Sequence, residues 1–161
     1  MNIQNKNIVI TGAANGIGHA LAKRMSEESP KSISLIDIKS SLKEVARSLN
    51  ADSYIVDVSN EHDFQTVLKD IINKNGSIDL FCSNAGIQQF GTLETSTLDW
   101  QKNWDVNVMS HIYAAKVLIP HMKKQGSGYL LLTVSAAGLL NMPGAIAYAT
   151  TKLSLIHIWR C

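Results

Sequence analysis

One stretch near the N-terminus decides the fold of this chain: Asn7-Ile8-Val9-Ile10-Thr11-Gly12-Ala13-Ala14-Asn15-Gly16-Ile17-Gly18. Three apolar residues, typical of a short buried strand, stand near its start, and glycines follow them. After residue 18 the apolar positions take a helical spacing among charged residues, at Ala20, Leu21, Ala22 and Met25. The glycines therefore lie on a turn that connects a strand to a helix.

A strand-to-helix turn is a common place for phosphate groups, because backbone N–H groups at a helix N-terminus are free to bind anions. Gly12 would allow the tight turn, Gly16 the close approach of a pyrophosphate, and Gly18 close contact between helix and strand. The spacing T-G-x-x-x-G-x-G differs from the G-x-G-x-x-G dinucleotide fingerprint. By itself it is equally compatible with a turn that binds no ligand.

The composition is that of one globular domain. The chain has 161 residues, 45% of them hydrophobic and 17% charged, which is enough to bury a core. The net charge is +2 and no basic cluster is present, so no nucleic-acid partner is expected. Cys82 and Cys161 have neither a disulfide nor a metal-ligand spacing. We expect no metal, no membrane partner and a cytoplasmic location, since no signal peptide or long apolar run is present.

Strand-like and helix-like segments alternate along the chain. Further strands are predicted at residues 32–37, 53–58, 77–82 and 129–134, and helices at about 40–49, 60–75, 97–124 and from 145 onward. Such alternation requires a parallel sheet with helices on both faces and right-handed crossovers. The predicted fold class is therefore α/β, a doubly wound parallel sheet whose ligand crevice lies at the carboxyl ends of the strands.

Polar and glycine residues gather directly after the predicted strands. They are Thr11-Gly12, Asp37, Asp57, Asn84-Ala85-Gly86 and Ser135. Because all strands of a parallel sheet end at one edge, these residues are expected to converge on one crevice although they are far apart in sequence.

Asp37 lies 19 positions after Gly18, close to the offset at which an acidic residue binds the ribose hydroxyls of NAD. The alternative is a helix cap or a solvated strand end. A carboxylate at this place also repels a 2′-phosphate, and residues 13–15 offer no cation to bind one. The pattern favours NAD over NADP, although Lys39 is a cation close enough in sequence to weaken the argument.

Tyr148 and Lys152 are spaced i and i+4, so on a helix the phenol and the ammonium lie on the same face. A positive charge beside a phenol favours the phenolate form, which is the better base. Ser135 follows a predicted strand beside the same crevice and could hydrogen-bond a carbonyl or alcohol oxygen. Most such pairs are simply helix surface, and no pattern here indicates Ser-His-Asp hydrolysis, because His111 and His121 belong to the long helix.

Taken together, these residues resemble the short-chain dehydrogenase/reductase family. The resemblance runs from Asn7 to Lys152 in the family's order and spacing. It rests on Thr11-Gly12-x-x-x-Gly16-Ile17-Gly18, Asp57-Val58, Asn84-Ala85-Gly86, Asn107, Ser135 and Tyr148-x-x-x-Lys152. Ser83 stands where a second asparagine is frequent and Val134 where many members have another serine, but neither difference removes a catalytic group.

The resemblance implies an NAD(P)-dependent oxidoreductase with an alcohol or carbonyl substrate and a Rossmann-like sheet in strand order 3-2-1-4-5. It implies Tyr148 as general acid/base and Lys152 as its cationic neighbour, which also binds the nicotinamide ribose. Ser135 would position the substrate oxygen, and Asn107 would hold a water that continues the proton relay. The cofactor-binding residues would be Thr11, Gly12, Asn15, Gly16, Ile17, Gly18, Asp37, Asp57, Val58, Asn84, Ala85 and Gly86.

Members of this family usually continue well beyond the lysine, so residues 1–152 are expected to be an incomplete domain whose parent forms a dimer or tetramer. Residues 153–161 resemble the translation of a sequencing-library adapter, and we expect a non-native tail; the alternative is a continued helix. Little or no turnover is expected from this piece alone. The alternative function is a dinucleotide-binding module without catalysis.

Overall fold

The strands of the computed structural model are β1 (Asn7–Thr11), β2 (Ser32–Asp37), β3 (Asp52–Ile55), β4 (Leu80–Ser83) and β5 (Tyr129–Leu132). They form one parallel sheet in the order β3-β2-β1-β4-β5, as predicted. The structure describes residues 2–140 and 142–158. Because β1 lies at the centre, the glycine turn that follows it lies near the middle of the sheet edge.

The helices are α1 (Gly16–Ser26), α2 (Leu42–Ser48), α3 (Glu61–Asn75), α4 (Thr97–Trp104), α5 (Ser110–Gln125) and α6 (Ile146–Ile158). A five-residue π-helical segment, Asp105–Met109, joins α4 to α5, and a 3-10 turn, Ala136–Gly138, precedes α6. None of the helices among the described residues is long and apolar enough to cross a membrane.

Successive residues of the central strands point to opposite faces of the sheet, and each face packs against its own helices. Val9 belongs to a cluster on one face that includes Phe64 of α3 and Leu118 of α5. Ile8 belongs to a second cluster on the other face that includes Leu42 of α2. All five of these apolar side chains are at most 1% exposed, so the sheet is buried on both faces as a doubly wound fold requires.

Local sequence signals account for several helix ends. The Asn60 side chain accepts a hydrogen bond from the Asp63 backbone N–H at 3.2 Å and caps α3. The same helix ends at Gly76, whose φ of +81° is left-handed and favours glycine. Ser96 caps α4 in the same manner through the Asp99 N–H.

Several segments differ from the sequence-based prediction. The strand predicted at 53–58 ends at Ile55, and the strand predicted at 77–82 begins only at Leu80. The predicted helix at 97–124 contains the π-helical segment, which accompanies tertiary contacts of Asn107 described below and which helix propensity does not predict. The strand predicted at 129–134 ends at Leu132, opposite Ser83 at the end of β4, and β5 is the edge strand of the described sheet. As expected for an edge, its Tyr129 and Leu131 are exposed, at 57% and 46%.

The helix α6 extends past Lys152, and its Leu155 is only 1% exposed. This packing is what a continued helix would show, but an apolar tail of foreign origin could pack in the same way. The boundary at residue 152 therefore stays a prediction, which the nucleotide sequence tests. The last three residues of the proposed tail, 159–161, lie outside the described residues.

Candidate active site

A cleft of about 540 Å³ lies at the carboxyl ends of the strands. It is lined by Gly12, Asn15, Gly16, Ile17, Asp37, Ile38, Lys39, Val56, Asp57, Val58, Asn84, Ala85, Gly86, Ile87, Gln88, Lys102, Val106, Thr133, Tyr148 and Lys152. Twelve of the residues predicted to bind cofactor or perform catalysis are therefore brought together in one cleft, from positions more than 130 residues apart.

Gly12 and Gly18 are packed too closely for side chains. Gly12 has a φ of +67°, and a Cβ there would lie 2.8 Å from the Cα of Ala85. A Cβ on Gly18 would overlap the Gly12 carbonyl group and lie 2.7 Å from the Asn84 amide nitrogen. Close contact between α1 and the turn, the role predicted for Gly18, is present in the structure.

Hydrogen bonds fix the turn to the end of β4. The Thr11 Oγ1 accepts from the backbone N–H groups of Asn84 at 2.9 Å and Ala85 at 3.0 Å. The Asn84 side chain donates through Nδ2 to the Thr11 carbonyl at 3.1 Å and the Gly12 carbonyl at 3.5 Å. Thr11 itself lies behind the cleft wall, so its contacts support the turn.

The first turn of α1 has the properties of an anion site. Gly16 has a φ of +56°, and apart from its own helix and chain neighbours no atom of the described residues lies within 4 Å of the position its Cβ would occupy. The Asn15 side chain makes no capping hydrogen bond, so it leaves the first N–H groups of the helix free, and no acidic residue lies in that turn. These features suit the pyrophosphate of a dinucleotide, because free N–H groups and the helix dipole both favour negative charge.

Asp37 lines the cleft one strand away from the turn and is 9% exposed. Its carboxylate accepts from the Ala14 N–H at 2.9 Å and from the Lys39 N–H at 3.0 Å. The carboxylate is therefore fixed beside the glycine turn. Asp57 is similarly ordered by the Ser59 N–H and hydroxyl, at 2.9 and 2.7 Å.

Tyr148 and Lys152 both line the cleft from α6, with the lysine Nζ 5.8 Å from the centre of the tyrosine ring. Lys152 is 4% exposed, and burial lowers the pKa of its ammonium. Its Nζ donates to the Thr133 carbonyl oxygen at 3.1 Å. The lysine is therefore buried and the tyrosine half-buried at the cleft, in contrast to the fully exposed pair that this spacing usually represents.

Asn107 lies in the π-helical segment and is fully buried. Its side chain binds both backbone groups of Ile87, accepting from the N–H and donating to the carbonyl, each at 2.9 Å. It also contacts the Thr151 hydroxyl of α6 at 3.1 Å. The π turn thereby joins the loop after β4 to the helix that carries Tyr148.

Ser135 is not among the described residues that line the cleft. Its hydroxyl accepts from the Ala137 N–H at 3.2 Å and caps the 3-10 turn. Gly18 and Asn107 also lie outside the lining, as Thr11 does, and contact residues that form it. Within residues 2–140 and 142–158, no group of three or more His, Cys, Asp or Glu is placed to hold a metal.

Two contributors to this region were missed in the sequence analysis. Thr133 lines the cleft, but its sequence position indicates only a strand residue. The sequence position of His111 likewise indicates only a helix residue. His111 is 2% exposed, and neither ring nitrogen has a hydrogen-bond partner in the described part of the chain. Burial and the nearby charge of Lys152 lower its pKa from 6.5 to about 4. Only the tertiary packing of α5 against the sheet reveals this environment.

We expect His111 to make the fold less stable in acid. The unfolded chain takes up a proton below about pH 6.5, whereas the folded chain does so only near pH 4. Stability is therefore lost as the pH falls through this window, by about 2 to 3 kcal/mol. Urea unfolding at pH 7 and pH 4.5 measures the loss, which should largely disappear in His111→Leu. His62→Gln, at an exposed site, is the control; equal acid sensitivity of wild type and His111→Leu would refute the assignment.

Comparison with known proteins identifies similar chains. A family model described as short chain dehydrogenase matches residues 6–161. Meso-2,3-butanediol dehydrogenase of Serratia marcescens is 33% identical over 99% of this chain and 65% of its own length. A short-chain dehydrogenase/reductase structure from Burkholderia phymatum in complex with NAD superimposes with a TM-score of 0.92 at 30% identity, covering 98% of this chain and 59% of the other. A structure of NAD+-bound xylitol dehydrogenase superimposes with a TM-score of 0.90 at 28% identity, covering 98% of this chain and 64% of the other.

Proposed function

Because the chain belongs to the short-chain dehydrogenase family, we propose that the protein is an NAD(P)-dependent oxidoreductase that interconverts an alcohol and a carbonyl compound. The chain spans 65% of the length of the Serratia relative, so turnover and substrate are proposed for the full-length protein. Cofactor binding is proposed for this chain itself, since the residues that suit a dinucleotide all lie within it.

One observation carries the proposal: the cleft that contains the glycine turn also contains Tyr148 and Lys152. A turn with free N–H groups explains affinity for a dinucleotide but no chemistry. A phenol beside a buried ammonium can exchange a proton with a substrate oxygen. The coexistence of both in one cleft is what an oxidoreductase needs.

In this proposal the turn and the first N–H groups of α1 bind the pyrophosphate, with Asn15 and Ile17 beside it. Asp37 binds the adenosine ribose, Asp57 and Val58 contact the adenine, and the 84–86 segment forms the floor under the nicotinamide. When bound, the cofactor supplies the two-electron oxidation or reduction of the substrate carbon.

The protein's own contribution is proton transfer and orientation. Tyr148 gives a proton to the substrate oxygen during reduction and takes it back during alcohol oxidation. The Lys152 ammonium stabilises the phenolate and binds the second ribose, while Ser135 hydrogen-bonds the substrate oxygen. Asn107 holds a water that continues the proton path.

The proposed cofactor is NAD in preference to NADP. The Asp37 carboxylate repels a 2′-phosphate. We expect the unaltered chain to bind NADH more tightly than NADPH, and Asp37→Asn to shift that preference towards NADPH about 10-fold by removing the charge. Fluorescence titration with both nucleotides measures the ratio. Asp52→Asn, at the amino end of β3 and away from the cleft, should leave the affinity ratio unchanged. Equal affinities of the unaltered chain for NADH and NADPH would contradict the preference.

Two further properties are proposed for the full-length protein. One is a cytoplasmic location, and the other is assembly as a dimer or tetramer, which light scattering tests.

The second candidate function, nucleotide binding without turnover, is favoured by the position of Ser135 outside the cleft lining. Steady-state assays with NAD+ and a panel of secondary alcohols separate the two. Formation of NADH supports the oxidoreductase, and tight NADH binding without turnover of any alcohol or ketone supports the binding module.

A further inference from the structure

Thr133 occupies a place that no motif marks, directly after β5 at the wall of the cleft. Its backbone carbonyl oxygen accepts a hydrogen bond from the Lys152 ammonium at 3.1 Å. No other hydrogen bond of that ammonium is found among the described residues. Because Lys152 is almost fully buried, this carbonyl fixes where the charge lies.

The side chain of Thr133 extends the connection to the neighbouring strand. Its Oγ1 donates to the Asn84 Oδ1 at 3.0 Å, and its backbone N–H donates to the Ser83 carbonyl at 3.0 Å. A single residue therefore contacts both the lysine of α6 and the segment after β4.

The orientation of the Asn84 amide depends on this hydroxyl. Its Nδ2 faces the carbonyl oxygens of Thr11 and Gly12, which can only accept. Its Oδ1 consequently faces the opposite way and needs a donor, which is the Thr133 hydroxyl. The hydroxyl thus holds the amide in the orientation that supports the glycine turn.

We propose that Thr133 is a positioning residue that couples the two ends of the cofactor cleft, the Lys152 end and the glycine turn, through the Asn84 side chain. The inference rests on the proposed cofactor binding. The connection runs from the Lys152 Nζ to the Thr133 carbonyl, from the Thr133 hydroxyl to Asn84, and from Asn84 to the turn. The glycine turn is also held by the hydrogen bonds of the Thr11 hydroxyl to the Asn84 and Ala85 N–H groups, so a ligand bound at the turn alone should lose little affinity. A ligand that spans the cleft also depends on the distance between the turn and Lys152, which the Thr133 connection sets.

Thr133→Val removes the hydroxyl and keeps the branched shape and the carbonyl that accepts Lys152. Two probes separate coupling from a merely structural effect: NADH, which spans the cleft, and ADP, which lacks the second ribose and the nicotinamide. We expect the Kd of NADH to rise about 3- to 10-fold, the effect of one hydrogen bond, and the Kd of ADP to rise less than about 2-fold. Thr133→Ser should restore NADH affinity, and Thr66→Val on the outer face of α3 should leave it unchanged.

The affinities are measured on the 161-residue chain by titration, with the folded fraction taken from the binding stoichiometry. If Thr133→Val does not fold, Thr133→Ala is measured in the same way, and failure of both while Thr133→Ser folds would overturn the positioning role. Unchanged NADH affinity, equal losses for NADH and ADP, or failure of Thr133→Ser to restore binding would each refute it. Absence of NADH binding by the unaltered chain would refute the proposed cofactor as well.

Discussion

Replacing Tyr148 with phenylalanine in the full-length protein is expected to lower kcat by about 10³-fold, with little change in the Kd of NADH. The substitution removes one oxygen atom from a half-buried ring and leaves the packing of α6 in place. Positioned acid/base groups typically contribute ~10²- to 10⁴-fold to a rate, so the loss should reach this range. Stopped-flow measurement of NADH formation, alongside NADH titration, separates the chemical step from binding.

The control for this variant is Tyr113→Phe on α5, outside the residues that line the cleft. It removes the same atom and should leave both kcat and the NADH affinity unchanged. Retention of wild-type kcat by Tyr148→Phe would show that another group transfers the proton. A large rise in the Kd of NADH would show that the tyrosine serves mainly in binding.

The second large effect is expected from Gly18→Ala, which should weaken NADH binding at least about 10-fold and destabilise the fold by about 1 to 3 kcal/mol. The added methyl group would overlap the Gly12 carbonyl group, which is backbone and cannot rotate away. The turn must therefore move away from α1 and from the Asn84 amide. Isothermal titration with NADH and urea unfolding measure the two losses.

Gly76→Ala provides the matched control. Gly76 ends α3 with a φ of +81°, and no atom of the described residues other than its chain neighbours lies within 4 Å of its Cβ position. An alanine there would adopt a strained backbone conformation without a steric overlap. A loss of about 1 kcal/mol in stability and an unchanged NADH affinity are expected. If Gly18→Ala and Gly76→Ala bound NADH equally well, the close packing of the turn would have no role in binding.

The fold was predictable because its signals are local and repeated. Buried runs such as Ile8–Ile10 and helix ends such as Gly76 follow from apolar spacing and backbone conformation, and the strand order followed from the family resemblance. The ends of β3 and β5 were less predictable, because strand length depends on how many residues find partners in the neighbouring strand.

The site was predictable where a motif marks it and not where packing creates it. Gly12, Asp37 and Tyr148 were found because glycine after a strand, acid at a fixed offset and a Tyr-Lys pair have chemical meaning in sequence. No sequence motif marks Thr133 or His111, and their environments arise only when β4, β5, α5 and α6 pack together. The π turn at Asn107 is of the same kind, since it accompanies hydrogen bonds to Ile87 that lie twenty residues away in sequence.

A crystal structure of this chain grown with NADH tests the central claim most directly. The account predicts the pyrophosphate against the N–H groups that follow Gly12, the adenosine ribose at Asp37, and the nicotinamide ribose beside Tyr148 and Lys152. Nicotinamide density on the far side of the sheet from Tyr148, or a pyrophosphate away from the glycine turn, would contradict it.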